Sequence, residues 1–230
     1  MQRLESQPKS HIVVEEWVNR ECEEPLVDEL HKSYDELRKL LPGLPAYLRI
    51  YFDTRIFNEG VAVTGYAKSA DSIGVCINPA FQDKEQQLKE IKPFVFHEGF
   101  HMADGFHYDA GKFSGVDAAI AEGKAVVFEM TRAGSDPYYA NWQDEAEKVQ
   151  SWYESLASIS AEQYFEESGE TWRKWAFFDS ETGETSKVYK VGTWMIEQLV
   201  TAKAIDIEEL CGTPSAVILE WFEEVKERSI

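Results

Sequence analysis

Positive charge is scarce in this chain. Its 23 lysines and arginines stand against 42 aspartates and glutamates, a formal net charge of −19 over 230 residues. Such a surface repels phosphate backbones and anionic headgroups, so neither nucleic acid nor a membrane is expected as a partner. Cysteine is nearly absent as well. Cys22, Cys76 and Cys211 lie far apart and form no C-x-x-C pair, which reads as reduced thiols and not as a disulfide framework. No apolar run is long enough for the core of a signal peptide or for a bilayer span. Together these absences lead us to expect a soluble, cytoplasmic protein. Apolar residues are plentiful, at 43% with 13% aromatic, and a chain of this length can bury one substantial core. No repeat or low-complexity tract interrupts it, so residues 1–230 are expected to form a single domain.

Histidine is the scarce residue that carries the most information. There are five, and three of them (His97, His101 and His107) fall within eleven residues. The stretch His97-Glu98-Gly99-Phe100-His101 has the form H-E-x-x-H. A helix turns about 3.6 residues at a time, so positions i and i+4 share a face and two imidazoles can address one cation. Glu98 sits about 100° around the helix from His97, close enough to act as a general base at the same cation. The pattern offers two ligands and a base on one helix, the sequence form of a zinc site. His11 and His31 have no such neighbours and read as surface or packing histidines.

Around this motif the pattern predicts an α+β fold, zincin-like, with a small twisted sheet packed on the HExxH helix and a mostly helical C-terminal half. Helices over 12–21 and 25–41 make a helical lead-in through residue 45. In the second, Leu26, Leu30, Tyr34, Leu37 and Leu41 recur at helical spacing. Strand formers then dominate 47–52, 61–66 and 73–77, separated by turn signals, so the sheet and the motif helix occupy 47–110. The motif helix is expected over 83–104, broken near Ile91-Lys92 because Pro93 lacks a donor, and stopped by Gly105. Gly99 inside it costs about 1 kcal/mol relative to alanine, a cost consistent with close approach of another element or of substrate. Residues 116–230 read as the helical part. Helices are expected at 116–132, at 141–158 with Asn141 as cap, at 161–167 with a Ser160/Gln163 capping box, at 188–203 and at 214–227. The polar, aromatic-studded stretch 168–187 reads as a loop or irregular hairpin, a candidate lid.

A catalytic zinc takes three protein ligands and keeps one position open. Two residues compete for the third place. Glu122 lies twenty-one residues after His101 on its own helix. Its neighbours Ala119, Ile120, Ala121, Ala125, Val126 and Val127 make that helix apolar nearly all round, where a carboxylate is costly unless paired or bound to a cation. It would complete the two-His-one-Glu set of thermolysin-like sites. His107, six residues after His101, fits the longer H-E-x-x-H-x-x-G-x-x-H spacing, except that Asp104 stands where that pattern has its glycine, which comes one place late at Gly105. Glu122 is favoured and His107 is the alternative. Asp104 shares the histidine face and could hold the second nitrogen of a histidine. Glu129, one heptad after Glu122, could support the site or be solvated.

The order of a short sheet, then HEGFH, then EGKAVVFE, then VYKVGTWMIEQLV resembles a family of predicted bacterial zinc-dependent proteases, catalogued as a domain of unknown function with a gluzincin-like site. The resemblance runs from about residue 47 to 204, and HEGFH is its most specific part. It implies a zincin-like fold, zinc on His97, His101 and Glu122, and Glu98 as base. Members commonly carry a bulkier residue than Gly99 and often a further histidine beside the second ligand, departures that bear on substrate scope. The expected activity is peptide-bond hydrolysis on a peptide or protein substrate. Tyr189, His107 and, more weakly, Tyr108 are the candidates for an oxyanion donor. An exposed edge among the strands near 61–77 would offer a groove for an extended peptide. The rival readings are a non-catalytic, metal-stabilised binding module and a zinc hydrolase of a non-peptide amide or ester.

Overall fold

A four-stranded mixed sheet and eight α-helices make up the described part of the chain. The computed structural model describes residues 10–15, 24–53, 60–105 and 113–228. They divide into two compact units, Met1–Ala103 and Asp104–Ile230. The fold is α+β. No helix among the described residues is long and apolar enough to cross a membrane.

The first unit holds the sheet, in the order β1-β2-β4-β3. Its strands are β1 (His11–Glu15), β2 (Tyr47–Phe52), β3 (Val63–Ser69) and β4 (Ser72–Ile77). β1 and β4 run parallel to β2, whereas β3 is an antiparallel outer strand joined to β4 through a tight turn at Ala70-Asp71. One prediction fails here. Residues 12–21 do not begin a helix: His11–Glu15 is a strand pairing His11 with Tyr47 through Glu15 with Tyr51, and residues 16–21 lie outside the described residues. A run of Ile12, Val13 and Val14 is β-branched throughout, and ladder bonds to a distant strand override a weak helical periodicity.

Helix α1 (Glu24–Leu40) buries Leu26, Leu30, Tyr34 and Leu37, the stripe that its sequence spacing predicts. Tyr34 donates its hydroxyl to Pro45 O at 2.8 Å. Helix α2 (Lys84–Asp104) carries the HExxH motif and passes through Pro93 unbroken. Proline removes one bond to the carbonyl four residues back, and here that residue, Lys89, is exposed. On the other side of the proline every residue from Phe94 to Met102 is buried. Packing of that length outweighs the lost bond. Two glycines admit the neighbours of α2. A Cβ on Gly65 of β3 would stand 2.6 Å from the Phe94 ring, and one on Gly99 would stand 2.1 Å from Leu37 Cδ2 of α1. The close approach expected at Gly99 is therefore made by α1. Glu90 on α2 accepts the Ala62 and Val63 N–H groups at 2.6 and 3.1 Å, tying the start of β3 to the helix.

The second unit is helical. α3 (Gly115–Ala133) opens on a Ser114/Asp117 capping box and closes on Gly134 in the left-handed region. Two short 3-10 turns (Tyr138–Ala140 and Gln143–Glu145) precede α4 (Ala146–Ala157). Asn141 is not the cap of α4. Its amide donates to Asp144 Oδ2 at 2.9 Å, and the helix starts five residues later than predicted. α5 (Ala161–Tyr164) has the predicted Ser160/Gln163 capping box. The stretch read as a loop contains a helix, α6 (Glu170–Ala176), followed by a hairpin-like turn in which Phe178 bridges to Thr185. That turn is pinned by Lys187, whose ammonium lies 2.7 Å from Asp179 and 4.7 Å from the Trp175 ring centre. The Lys187 bond holds the Asp179 carboxyl down to about 2.

α7 (Lys187–Lys203) is the main partner of α3, and α8 (Ser215–Arg228) closes the unit. Two glycines let α3 and α7 meet backbone to backbone. A Cβ on Gly123 would lie 2.2 Å from the Gly192 carbonyl, and one on Gly192 would lie 1.9 Å from Ala119 O. These glycines belong to the EGKA and YKVG stretches, so the two patches of sequence form a single crossing. Because the obstacle is backbone, Gly123→Ala is expected to destabilise the fold by about 3 kcal/mol or more, the upper range for overpacking. Gly43→Ala, with open space around it, serves as the near-neutral control in the same urea titration.

Candidate metal centre

α2 carries both motif histidines in its last two turns. His97 and His101, one turn apart on it, are 8% and 3% exposed. Their rings meet edge to face, and the two Nε2 atoms stand 3.2 Å apart. Two nitrogens bound tetrahedrally to one zinc at about 2.0–2.1 Å are separated by about 3.3 Å. The imidazoles already have the spacing that such an ion demands. Glu98 between them is buried as well.

Glu122 sits on α3, one residue before the Gly123 crossing, and is 2% exposed. An ionised carboxylate so placed needs a compensating charge. One ligand atom each from His97, His101 and Glu122 fall within 4.8 Å of one another, a group able to hold a metal ion. The donor set, two imidazoles and a carboxylate, suits zinc and other first-row divalent ions.

A family model described as "Predicted Zn-dependent protease (DUF2268)" matches residues 28–220. The chain belongs to the DUF2268 family. No curated protein and no solved structure matches it.

The other residues of this DUF2268 chain that the sequence singles out fall into place as follows. His107 and Tyr108 lie outside the described residues. Tyr189 is on the first turn of α7, half-buried, with its ring edge-on to Tyr139 at 5.1 Å between centres. Glu129 is buried, not solvated. It accepts the Ser135 hydroxyl at 2.9 Å, with Tyr139 Oη 3.5 Å away. Asp104 is engaged by groups other than a histidine: Lys124 Nζ lies 2.7 and 2.6 Å from its two oxygens, and Gly212 N–H donates to it at 2.7 Å. Lys124 also donates to Thr213 O at 3.3 Å.

Tyr164 is the residue that sequence reasoning misses. It is fully buried at the end of α5, its ring 3.2 Å from where a Cβ of Gly115 on α3 would be. Burial raises the phenol pKa, and the charge of Glu122 raises it further. The capping box gives the short helix away, but no local signal connects its last tyrosine with a glutamate forty-two positions earlier.

Lys124 and Asp104 form a charge pair sealed from water, with side chains 2% and 7% exposed. Removing one partner strands the other. Lys124→Met is expected to cost about 3–5 kcal/mol by thermal or urea denaturation, whereas Asp104→Leu with Lys124→Met together should recover most of that loss.

Proposed function

We propose that this protein is a zinc-dependent peptidase in which His97, His101 and Glu122 hold the metal and Glu98 is the general base. The observation that carries the reading is the pair of imidazole nitrogens 3.2 Å apart on one buried helix face. Zinc bound to such a set lowers the pKa of its water to about 7 and polarises a carbonyl. Glu98 is the carboxylate that takes the proton of the attacking water and passes it to the leaving amine. A purely structural site has no use for such a base, which favours hydrolysis over a metal-stabilised binding module. Tyr189 and His107 are the candidates to donate a hydrogen bond to the developing oxyanion.

Substrate binding by an extended peptide is supported by the outer position of β3. Asn78 N–H bonds to Ala62 O on the sheet side, whereas Val63 N–H turns away to Glu90. Antiparallel pairing alternates, so Gly65 and Ala67 direct their N–H and C=O groups away from β4, as Val63 does. They offer ladder bonds to an added strand.

Glu98→Gln is expected to keep zinc bound and to lower kcat by about 10²–10⁴-fold, the usual contribution of a general base. Zinc content by atomic absorption and hydrolysis of a broad peptide library check the two halves. A wild-type protein that binds zinc and cleaves no peptide contradicts the peptidase reading. It points instead to the binding module or, if simple esters or amides are cleaved, to a non-peptide hydrolase.

A further inference from the structure

The outer edge of β3 stops at a carboxylate. Val63 turns its N–H away from β4, and that N–H meets Glu90 Oε2 of α2 at 3.1 Å. The same oxygen accepts the Ala62 N–H at 2.6 Å, and the other accepts from the Gln86 amide at 3.1 Å. Glu90 thus occupies the place where the carbonyl of an added strand would pair with Val63. At the far end the register shifts between Ala67 and Ser69, and a bulge of this kind interrupts regular pairing. Between these two stops lie Gly65 and Ala67, both half-exposed, with their outward groups left for a ladder.

β3 and α2 keep step with each other. Glu90 meets the strand at Val63, and four residues further along the helix the Phe94 ring fills the space beside Gly65. Four helical residues rise about 6 Å, and two strand residues span about 6.6 Å. The same step carries Ala67 level with Glu98, the carboxylate assigned to the base. A peptide bonded to Ala67 has its reacting bond at that level, and its ladder continues to Gly65 and ends at Glu90. Antiparallel pairs outnumber parallel ones by about two- to three-fold. An antiparallel peptide runs opposite to β3, so the residues that approach Glu90 are those C-terminal to the cleaved bond.

We propose that Glu90 excludes a free C-terminal carboxylate from the end of this edge, which makes the protein an endopeptidase and not a carboxypeptidase. This rests on the peptidase reading above and adds to it a residue that sets specificity. Like charges at a protein surface repel, and salt screens them. The test takes a peptide that the protein cleaves, shortened to end three residues beyond the cleaved bond, as free acid and as C-terminal amide. The amide is expected to have a kcat/KM about tenfold higher, and raising the salt to about 1 M should narrow that gap. Glu90→Gln keeps an acceptor for the Ala62 and Val63 N–H groups and removes the charge, so it should bring the free acid up to the amide. Equal rates for the short acid and amide, a gap that survives salt or Glu90→Gln, or a preference set by the free N-terminus overturns this proposal alone. A protein that cleaves no peptide removes the peptidase reading, and this proposal with it.

Discussion

Two imidazole nitrogens held 3.2 Å apart inside a protein constrain what can surround them. Two imidazolium cations at that distance would repel strongly in a medium of low dielectric constant, so the pair must share a proton or converge on a cation. In the proposed site the cation is the better solution, because a divalent ion would fill both histidine lone pairs at once. His97 and His101 are fixed in this relation by the helix that carries them. α2 is apolar-packed on nearly every side from Phe94 to Met102, and its rings have little freedom to turn away.

Close backbone contact does comparable work elsewhere. Gly99 brings α1 against the motif helix in the first unit. In the second, Gly123 and Gly192 bring α3 and α7 within reach of each other's backbones. Glu122 is the neighbour of Gly123, so the crossing that fixes the α3 backbone also fixes where the carboxylate begins. Lys124, on the other side of the same glycine, is bound to Asp104 and Thr213 O. A short run of α3 is therefore held at three successive residues, one by charge, one by contact and one by its place among buried groups.

Much of this is legible in the sequence, for reasons that are local. HEGFH encodes its own geometry, since i and i+4 share a helical face. Ser160 with Gln163, Gly105 and Gly134 mark helix ends through capping and left-handed backbone. Glu122 stands out because its neighbours are small and apolar. The failures are non-local. The β1 strand depends on pairing with residues some thirty-six positions away, and periodicity alone favours a helix there. Pro93 reads as a break until the packing beyond it is known. The Asn141 amide spends itself on Asp144, a choice invisible in a list of good caps. Tyr164, the Gly123–Gly192 crossing and the Asp104–Lys124 pair all join residues whose separation in sequence carries no pattern.

The most direct measurement is zinc K-edge X-ray absorption on protein loaded with one equivalent of zinc, compared with His107→Ala prepared in the same way. The expected first shell has two imidazole nitrogens and oxygen ligands at about 2.0–2.2 Å, with the spectrum unchanged by the His107 substitution and the second imidazole lost in His101→Ala. A shell of three imidazoles that falls to two in His107→Ala would contradict the assignment of Glu122 as the third ligand.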